Sequence, residues 1–369
     1  MIIISTQCFY PGKGGIEDLM TGMAKAFEQN GKDVFVYADG TSSDKDKILP
    51  FKIKRFNQWK PIRRRLKAYE INNLIKIRKV DLIIADSWKS AEYLESINVK
   101  IIVLAHGSEI LKLPYTPLNI FKRHKKNRIL TSLNKAKIIV ANSNYTQNLL
   151  QGLKVDPNKI KVIHPGIESF DGKIKEDISD KVKEIVEGKN PIILTLARLE
   201  KRKGHLLVIE ALSRLKTKYP NLLYIIAGEG DYKNNIIKHA ISFNLLDSIK
   251  FLGWINEPEK TLIIKKSDLL VMTPGLGTES VESFGMAFID GSLNGVATLG
   301  TDNGGMSDAI LDGQTGLIAK TGDIEDITIK IDQILSDNSM RKKFGKNGIE
   351  FTAKTFPWKY KIREYLNLI

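Results

Sequence analysis

A chain of 369 residues is longer than one hydrophobic core usually serves, and it fits two domains of ordinary size. Its 42% hydrophobic and 27% charged residues exclude a disordered chain, and its one cysteine, Cys8, excludes a disulfide framework or a multi-cysteine metal site. The net charge of +15 lies wholly in residues 1–167, with 29 Lys and Arg against 14 Asp and Glu, while residues 168–369 hold 28 of each; the asymmetry points to an anionic partner for one domain.

The start, Met1-Ile2-Ile3-Ile4-Ser5-Thr6, has neither the charged region nor the long apolar run of a signal peptide. No stretch has the length of a transmembrane helix, so the expectation is a cytoplasmic protein. The first strand is expected at residues 2–5, and Cys8 after it reads as a small buried hydrophobe rather than a nucleophile. Further strands are expected at 34–37, 82–85, 101–105 and 138–141, then at 192–197, 222–227, 249–252, 269–272 and 297–300. Most are nearly continuous apolar runs, as parallel strands buried on both faces require. Helical patterns alternate with them, which makes two Rossmann-like α/β units with parallel sheets. The boundary follows Val162-Ile163-His164-Pro165-Gly166, where the polar, weakly periodic stretch 168–189 serves as linker.

Four clusters carry chemistry, each with a bland reading beside it. Pro11-Gly12-Lys13-Gly14-Gly15-Ile16-Glu17 follows the first strand, and its glycines let backbone N–H groups approach an anion at a helix start; it is equally an ordinary turn. His106-Gly107 ends a parallel strand, where open α/β sheets place ligands, although a lone histidine is often structural. In Ala197-Arg198-Leu199-Glu200-Lys201-Arg202-Lys203-Gly204, Arg198 and Lys203 converge on a diphosphate or simply decorate a solvated turn. Glu282-Ser283-Phe284-Gly285-Met286-Ala287 precedes a helix expected from about Phe284, with Asp290 some two turns further on. That helix start suits phosphate oxygens; the alternative is two ordinary acids at a helix end.

Taken together, these clusters resemble the retaining GT-B glycosyltransferases of family 4, also called glycosyl transferases group 1. The resemblance also rests on Asn142-Ser143, Gly228-Glu229-Gly230, Phe251-Leu252-Gly253, Gly304-Gly305, Asp312-Gly313 with Gly316, and Phe356-Pro357-Trp358. It implies two Rossmann-like domains with parallel sheets facing across a cleft. Residues 1–167 would bind the acceptor and residues 190–354 the nucleotide sugar, with the helix in 355–369 returning to the first domain. It further implies that Arg198 and Lys203 bind the donor diphosphate and that Glu282 contacts sugar hydroxyls. Gly14, Gly15 and the backbone of Phe284, Gly285, Met286 and Ala287 would complete the cradle, with His106 beside the transferred sugar. The family pattern has a second glutamate, which implies a bond to the ribose, where this chain has Asp290, one methylene shorter in reach. Glu279 is a competing acid to Glu282, set aside because Phe284-Gly285 follows Glu282 in the family register.

The expected reaction moves a hexose-type sugar from a UDP- or GDP-sugar to an acceptor hydroxyl, without cofactor or metal. The pattern Asp44-Lys45-Asp46 sits in a polar loop, with no strand leading into it, and is not expected to hold a metal. For the acceptor, residues 52–65 carry seven Lys and Arg with no acid. The run Lys122-Arg123-His124-Lys125-Lys126-Asn127-Arg128 follows apolar Leu118, Ile120 and Phe121. Such clusters suit an anionic membrane surface and a glycan or lipid-linked acceptor in lipopolysaccharide or polysaccharide assembly; the bland reading is a solvated basic face. A GT-B-fold sugar-nucleotide epimerase is the nearest rival. A glycogen-phosphorylase-like enzyme would need a cofactor lysine that no motif indicates. A nucleic-acid binder would explain the basic half and leave the neutral half without a role.

Overall fold

The computed structural model describes residues 1–96, 99–111, 120–168, 184–275 and 281–368. Two compact units result: Met1–Ser169 with Thr355–Ile369, and Phe170–Lys354.

The first unit runs β1 (Ile2–Thr6), α1 (Gly15–Gln29), β2 (Val34–Asp39), β3 (Lys52–Phe56), α2 (Lys60–Ile77), β4 (Leu82–Ala85) and α3 (Trp88–Ala91). It continues with β5 (Lys100–Ala105), α4 (Ser108–Leu111), α5 (Ile120–Lys135), β6 (Ile138–Ala141), α6 (Asn144–Gly152) and β7 (Ile160–Val162). The strands pair in parallel in the order β3-β2-β1-β4-β5-β6-β7. The run Ile2-Ile3-Ile4 shows why the sheet forms: Ile3 packs with Ile83 and Val103 on one face, Ile2 and Ile4 with Leu82 and Ile102 on the other. Side chains alternate across a strand, so a sheet covered on both faces needs apolar residues at every position.

The second unit runs β8 (Ile192–Leu196), α7 (His205–Leu215), β9 (Leu223–Ala227), α8 (Lys233–Ser242), β10 (Ile249–Gly253), α9 (Glu257–Lys266) and β11 (Leu269–Val271). Then follow α10 (Met286–Leu293), β12 (Ala297–Thr301), β13 (Gly316–Ala319), α11 (Ile324–Ser336) and α12 (Asn338–Thr355). The order is β10-β9-β8-β11-β12-β13, again parallel throughout. In both sheets the order reverses beside the unit's own first strand. The loops leaving the carboxyl ends of β1 and β4, and of β8 and β11, therefore diverge to opposite faces and open a crevice between them.

Three strands escape the apolar-run reading, β3, β7 and β13, and all three are sheet edges. An edge strand buries less of itself, and β3 alternates exposed Lys52 and Lys54 with half-buried Ile53 and Arg55. Most of the expected linker, residues 169–183, lies outside the described residues.

The last helix, α13 (Trp358–Leu366), belongs to the first unit, where Trp358, Ile362 and Tyr365 join Phe27 and Ile4 in the core. Pro357 bridges to Ile167, and Trp358 fills the space left by two glycines: a Cβ on Gly22 or Gly166 would lie 2.2 or 2.4 Å from its ring. Trp358→Ala is expected to cost about 3–5 kcal/mol through the cavity it leaves. Urea denaturation followed by far-UV circular dichroism reads this directly; a loss under 1 kcal/mol would mean the helix is not anchored by this side chain.

Candidate active site

The crevice of the second unit gathers most of the chemistry. Beyond β8 the chain is tied to its neighbour by Ala197 N–H to Ala227 O at 3.1 Å and Leu199 N–H to Glu229 O at 2.9 Å. Held this way, the turn leaves Arg198 exposed and buries Leu199. A single 3₁₀ turn, Lys201–Lys203, then ends at Gly204 in the left-handed region, φ 78°, which starts α7. Thr273, just past β11, donates its hydroxyl to Gly204 O at 3.3 Å, so the two switch-point loops are joined.

Across this junction the Lys203 ammonium donates to Glu282 Oε2, and Arg202 Nη1 lies 3.5 Å from the same oxygen. Arg202 is itself oriented by Glu200, which accepts from its Nε at 2.6 Å. Side-chain exposure of 12% for Lys203 and 15% for Glu282 places this pair under partial desolvation, where charge interactions exceed those at an open surface. Glu282 is fixed from behind, its carbonyl accepting from Gly305 N–H at 2.9 Å.

Three residues on, Gly285 (φ 95°) caps α10 without any side-chain cap, and the helix starts at Met286 rather than Phe284. Phe284 is a core residue, 2% exposed. The leading amides of α10, Met286 and Ala287, are thus presented at a positive helix end beside two cations, a ready anion site. Residues 276–280, among them Gly277 and the competing acid Glu279, lie outside the described residues.

Asp290 sits one helix turn further in and pairs with Lys260 of α9 at 3.2 Å. Burial raises the Asp290 carboxyl pKa, with Lys260 opposing. Burial also disfavours the Lys260 charge, but Asp290 and Glu257 outweigh it and hold the ammonium above its usual value. The shorter acid thus spends one oxygen, Oδ2, on a cation of its own chain.

His205, the first residue of α7, is 1% exposed beneath this loop, with Nε2 3.5 Å from Arg198 O and Nδ1 buried without a partner among the described residues. Burial drives its pKa down from 6.5 to about 4. The imidazole thus stays neutral in the fold and is protonated more readily once unfolded. Its contribution is whole above pH 6.5 and is lost as pH falls toward 4, on the order of 3 kcal/mol. Urea titrations at pH 7 and pH 4.5 should show a stability loss in the wild type that largely disappears in His205→Gln; equal pH slopes would contradict it.

In the first unit Asp86 organises the switch point: 3% exposed, it accepts from the Thr6 hydroxyl at 2.9 Å and from Gln7 N–H at 2.6 Å. His106, after β5, donates from Nε2 to Asp86 O at 2.8 Å, and its own N–H is taken by Glu109 Oε1 at 2.8 Å. Gly14 (φ 152°) caps α1 with no side-chain cap, and open space faces Gly15. Cys8 is half-buried rather than buried, and burial together with Glu17 and Asp86 pushes its thiol up to about 12, which leaves it protonated and unreactive.

The chain matches the family described as Glycosyltransferase Family 4 over residues 13–169 and that described as Glycosyl transferases group 1 over residues 176–351. The chain is a GT-B glycosyltransferase of the family 4 type. Among its relatives, a GDP-mannose-dependent alpha-(1-6)-phosphatidylinositol monomannoside mannosyltransferase of Mycolicibacterium smegmatis is 24% identical over 230 residues, 61% of this chain and 60% of that one. A lipopolysaccharide core biosynthesis glycosyltransferase of Rhizobium meliloti is 27% identical over 203 residues, 55% and 56% of the two chains. These matches span little more than half of either relative. Anabaena HepE, solved in complex with UDP, shares the fold over the full length of both chains, with a TM-score of 0.79 at 19% identity.

In this glycosyltransferase the two acids of Asp44-Lys45-Asp46 are committed elsewhere. Asp46 takes two bonds from Arg55, at 2.9 and 2.6 Å, and Asp44 pairs with Lys47 at 2.7 Å. Among the described residues no group of three His, Cys, Asp or Glu side chains is placed to share an ion. The basic run 52–65 is less free than its composition implies. Arg63 pairs with Asp39 at 2.8 Å, Lys54 with Glu70, and Arg64 lies 3.7 Å from Glu92; these acids arrive from other parts of the chain. Leu118 of the second run lies outside the described residues, as do the side chains of Ile120, Phe121 and Lys122. No described helix is long and apolar enough to cross a membrane.

Proposed function

We propose that the enzyme transfers a hexose-type sugar, with retention at the anomeric carbon and without a metal ion, from a UDP- or GDP-sugar to a hydroxyl of a glycan or lipid-linked acceptor. The setting is assembly of lipopolysaccharide or another cell-surface polysaccharide, at the cytoplasmic side of a membrane that the enzyme contacts peripherally. The observation that carries the reading is the Lys203–Glu282 pair beside the uncapped start of α10. In this pair each charge satisfies the other. An incoming nucleotide sugar exchanges the partners: the diphosphate takes Lys203, Arg198 and the amides of Met286 and Ala287, and the sugar hydroxyls take Glu282.

As the glycosidic bond breaks, negative charge grows on the leaving diphosphate, and these preorganised donors meet it without reorganising. Asp290 reaches a ribose hydroxyl with the oxygen that Lys260 leaves open. For the first unit we assign the Gly14–Gly15 turn and His106 to the transferred end of the donor. With Nε2 spent on Asp86 O, His106 offers only Nδ1. The acceptor hydroxyl attacks from the face the leaving group departs, a donor phosphate oxygen receiving its proton.

Thermal melts with UDP, GDP and ADP, each with and without EDTA, test the donor class. At about 100 times the dissociation constant, the correct nucleotide should add about 2.7 kcal/mol of stability, unchanged by EDTA. A shift that needs a divalent ion would contradict the metal-free clamp. Proton NMR of the glycoside formed from the matching sugar nucleotide then reads the anomeric configuration; inversion would overturn retention. Donor rearrangement in the absence of acceptor would favour an epimerase.

A further inference from the structure

The first unit carries an exposed surface that the donor chemistry does not use. On α2 and its cap, Trp59, Ile62, Leu66 and Tyr69 are 73%, 49%, 39% and 65% exposed, while Lys67, Ala68 and Ile71 bury the opposite face. Their spacing of three, four and three residues sets them in one stripe along the helix. Beside the same helix opens a pocket of about 330 Å³ lined by Pro61, Arg64, Arg65, Tyr93, His124 and Arg128.

The charge of this pocket is not cancelled. Glu92 takes Arg128 Nε at 2.6 Å and stands 3.7 Å from Arg64, one carboxylate against three guanidinium groups. Arg65 stacks over the Tyr93 ring at 5.5 Å and forms no ion pair with a described carboxylate. Lys89 near Arg64 has its pKa lowered, first by burial and then by the Arg64 and Lys125 charges, with Glu109 and Asp86 opposing. Three other cations of β3 and α2 are paired: Arg55 with Asp46, and Arg63 and Lys67 with Asp39. Positive charge and exposed apolar area thus coincide on α2.

We propose that this pocket binds the phosphate of an anionic phospholipid headgroup while the α2 stripe lies in the interfacial layer of the bilayer. A free phosphate ester would account for the pocket and leave the stripe unexplained; a bilayer accounts for both. The proposal rests on the peripheral membrane contact put forward above and gives it a surface.

The test is sedimentation of the full chain with phosphatidylcholine vesicles, with and without phosphatidylglycerol, for the wild type, Arg65→Gln/His124→Gln and Trp59→Ser/Ile62→Ser. None of the four replaced side chains holds an ion pair among the described residues. The wild type should prefer the anionic vesicles by about tenfold, less in high salt. The charge variant should lose about fivefold of that preference, and the stripe variant should lose binding to the anionic vesicles. In each variant the nucleotide-induced melting shift should persist, which separates a lost surface from a lost donor site. Equal binding by wild type and both variants would overturn this surface alone. Failure of the wild type to bind anionic vesicles would overturn the membrane contact as well. A melting shift with glycerol 1-phosphate without vesicle binding would assign the pocket to a soluble phosphate ester and overturn the lipid docking.

Discussion

Lys203→Ala is expected to lower kcat/KM for sugar transfer by about 10²–10³-fold, the usual cost of removing one preorganised donor from a site of developing negative charge. Two effects add in the same direction. The leaving diphosphate loses its ammonium partner, and among the described residues Glu282 keeps only Arg202, 3.5 Å away, so an under-compensated carboxylate faces the incoming phosphates. Lys203→Arg restores the charge but spreads it over a planar fork, and should recover only part of the rate. Because Lys203 and Glu282 share one contact, Glu282→Gln in the Lys203→Ala background should cost far less than alone. Steady-state kinetics of the wild type and these four variants measures this; a drop under tenfold for Lys203→Ala would remove it from the diphosphate site.

Gly204→Ala should be the most damaging single methyl group in the second unit's site. A Cβ there would lie 1.7 Å from Thr273 O and 2.3 Å from its carbonyl carbon, both backbone atoms that no rotamer change relieves. The backbone angle, φ 78°, adds a strain of its own. Relief requires separating the loops after β8 and β11, the two that bring Lys203 to Glu282. A loss of about 3 kcal/mol or more is expected, or a melting point lower by about 6–12 °C for a unit of this size. Calorimetric melts with and without nucleotide check both consequences, since the nucleotide-induced shift should shrink with the stability. An unchanged melting point would mean the loops are not closely packed.

How much of this was legible depends on how locally each feature is encoded. Central strands such as β1 and β4 announce themselves, because Ile2-Ile3-Ile4 must be apolar on both faces. The edge strand β3 reads Lys-Ile-Lys-Arg-Phe and looks like part of a basic surface, since no rule about burial on both faces applies to it. Arg198, Lys203, Glu282 and Gly285 stand out as candidates because each follows a strand or opens a helix, positions where open α/β sheets place ligands. What local reading missed is partnership. Arg202 looked like one more cation in a basic turn until Glu200 and Glu282 were seen around it. Lys260 stands 30 residues from Asp290 and gives no local signal, yet it occupies one oxygen of the shortened acid. Likewise Asp39 and Glu92 neutralise cations that composition alone counted as free.

The central claim is that the second unit's switch point binds a nucleoside diphosphate through Lys203 without a metal. Calorimetric titration of UDP and GDP into the wild type and Lys203→Ala, in EDTA, tests it most directly. One of the two nucleotides should bind the wild type and bind the variant at least about tenfold more weakly, the worth of a single charge-assisted contact. Equal affinity in both proteins, or binding that appears only when a divalent ion is restored, would contradict the account.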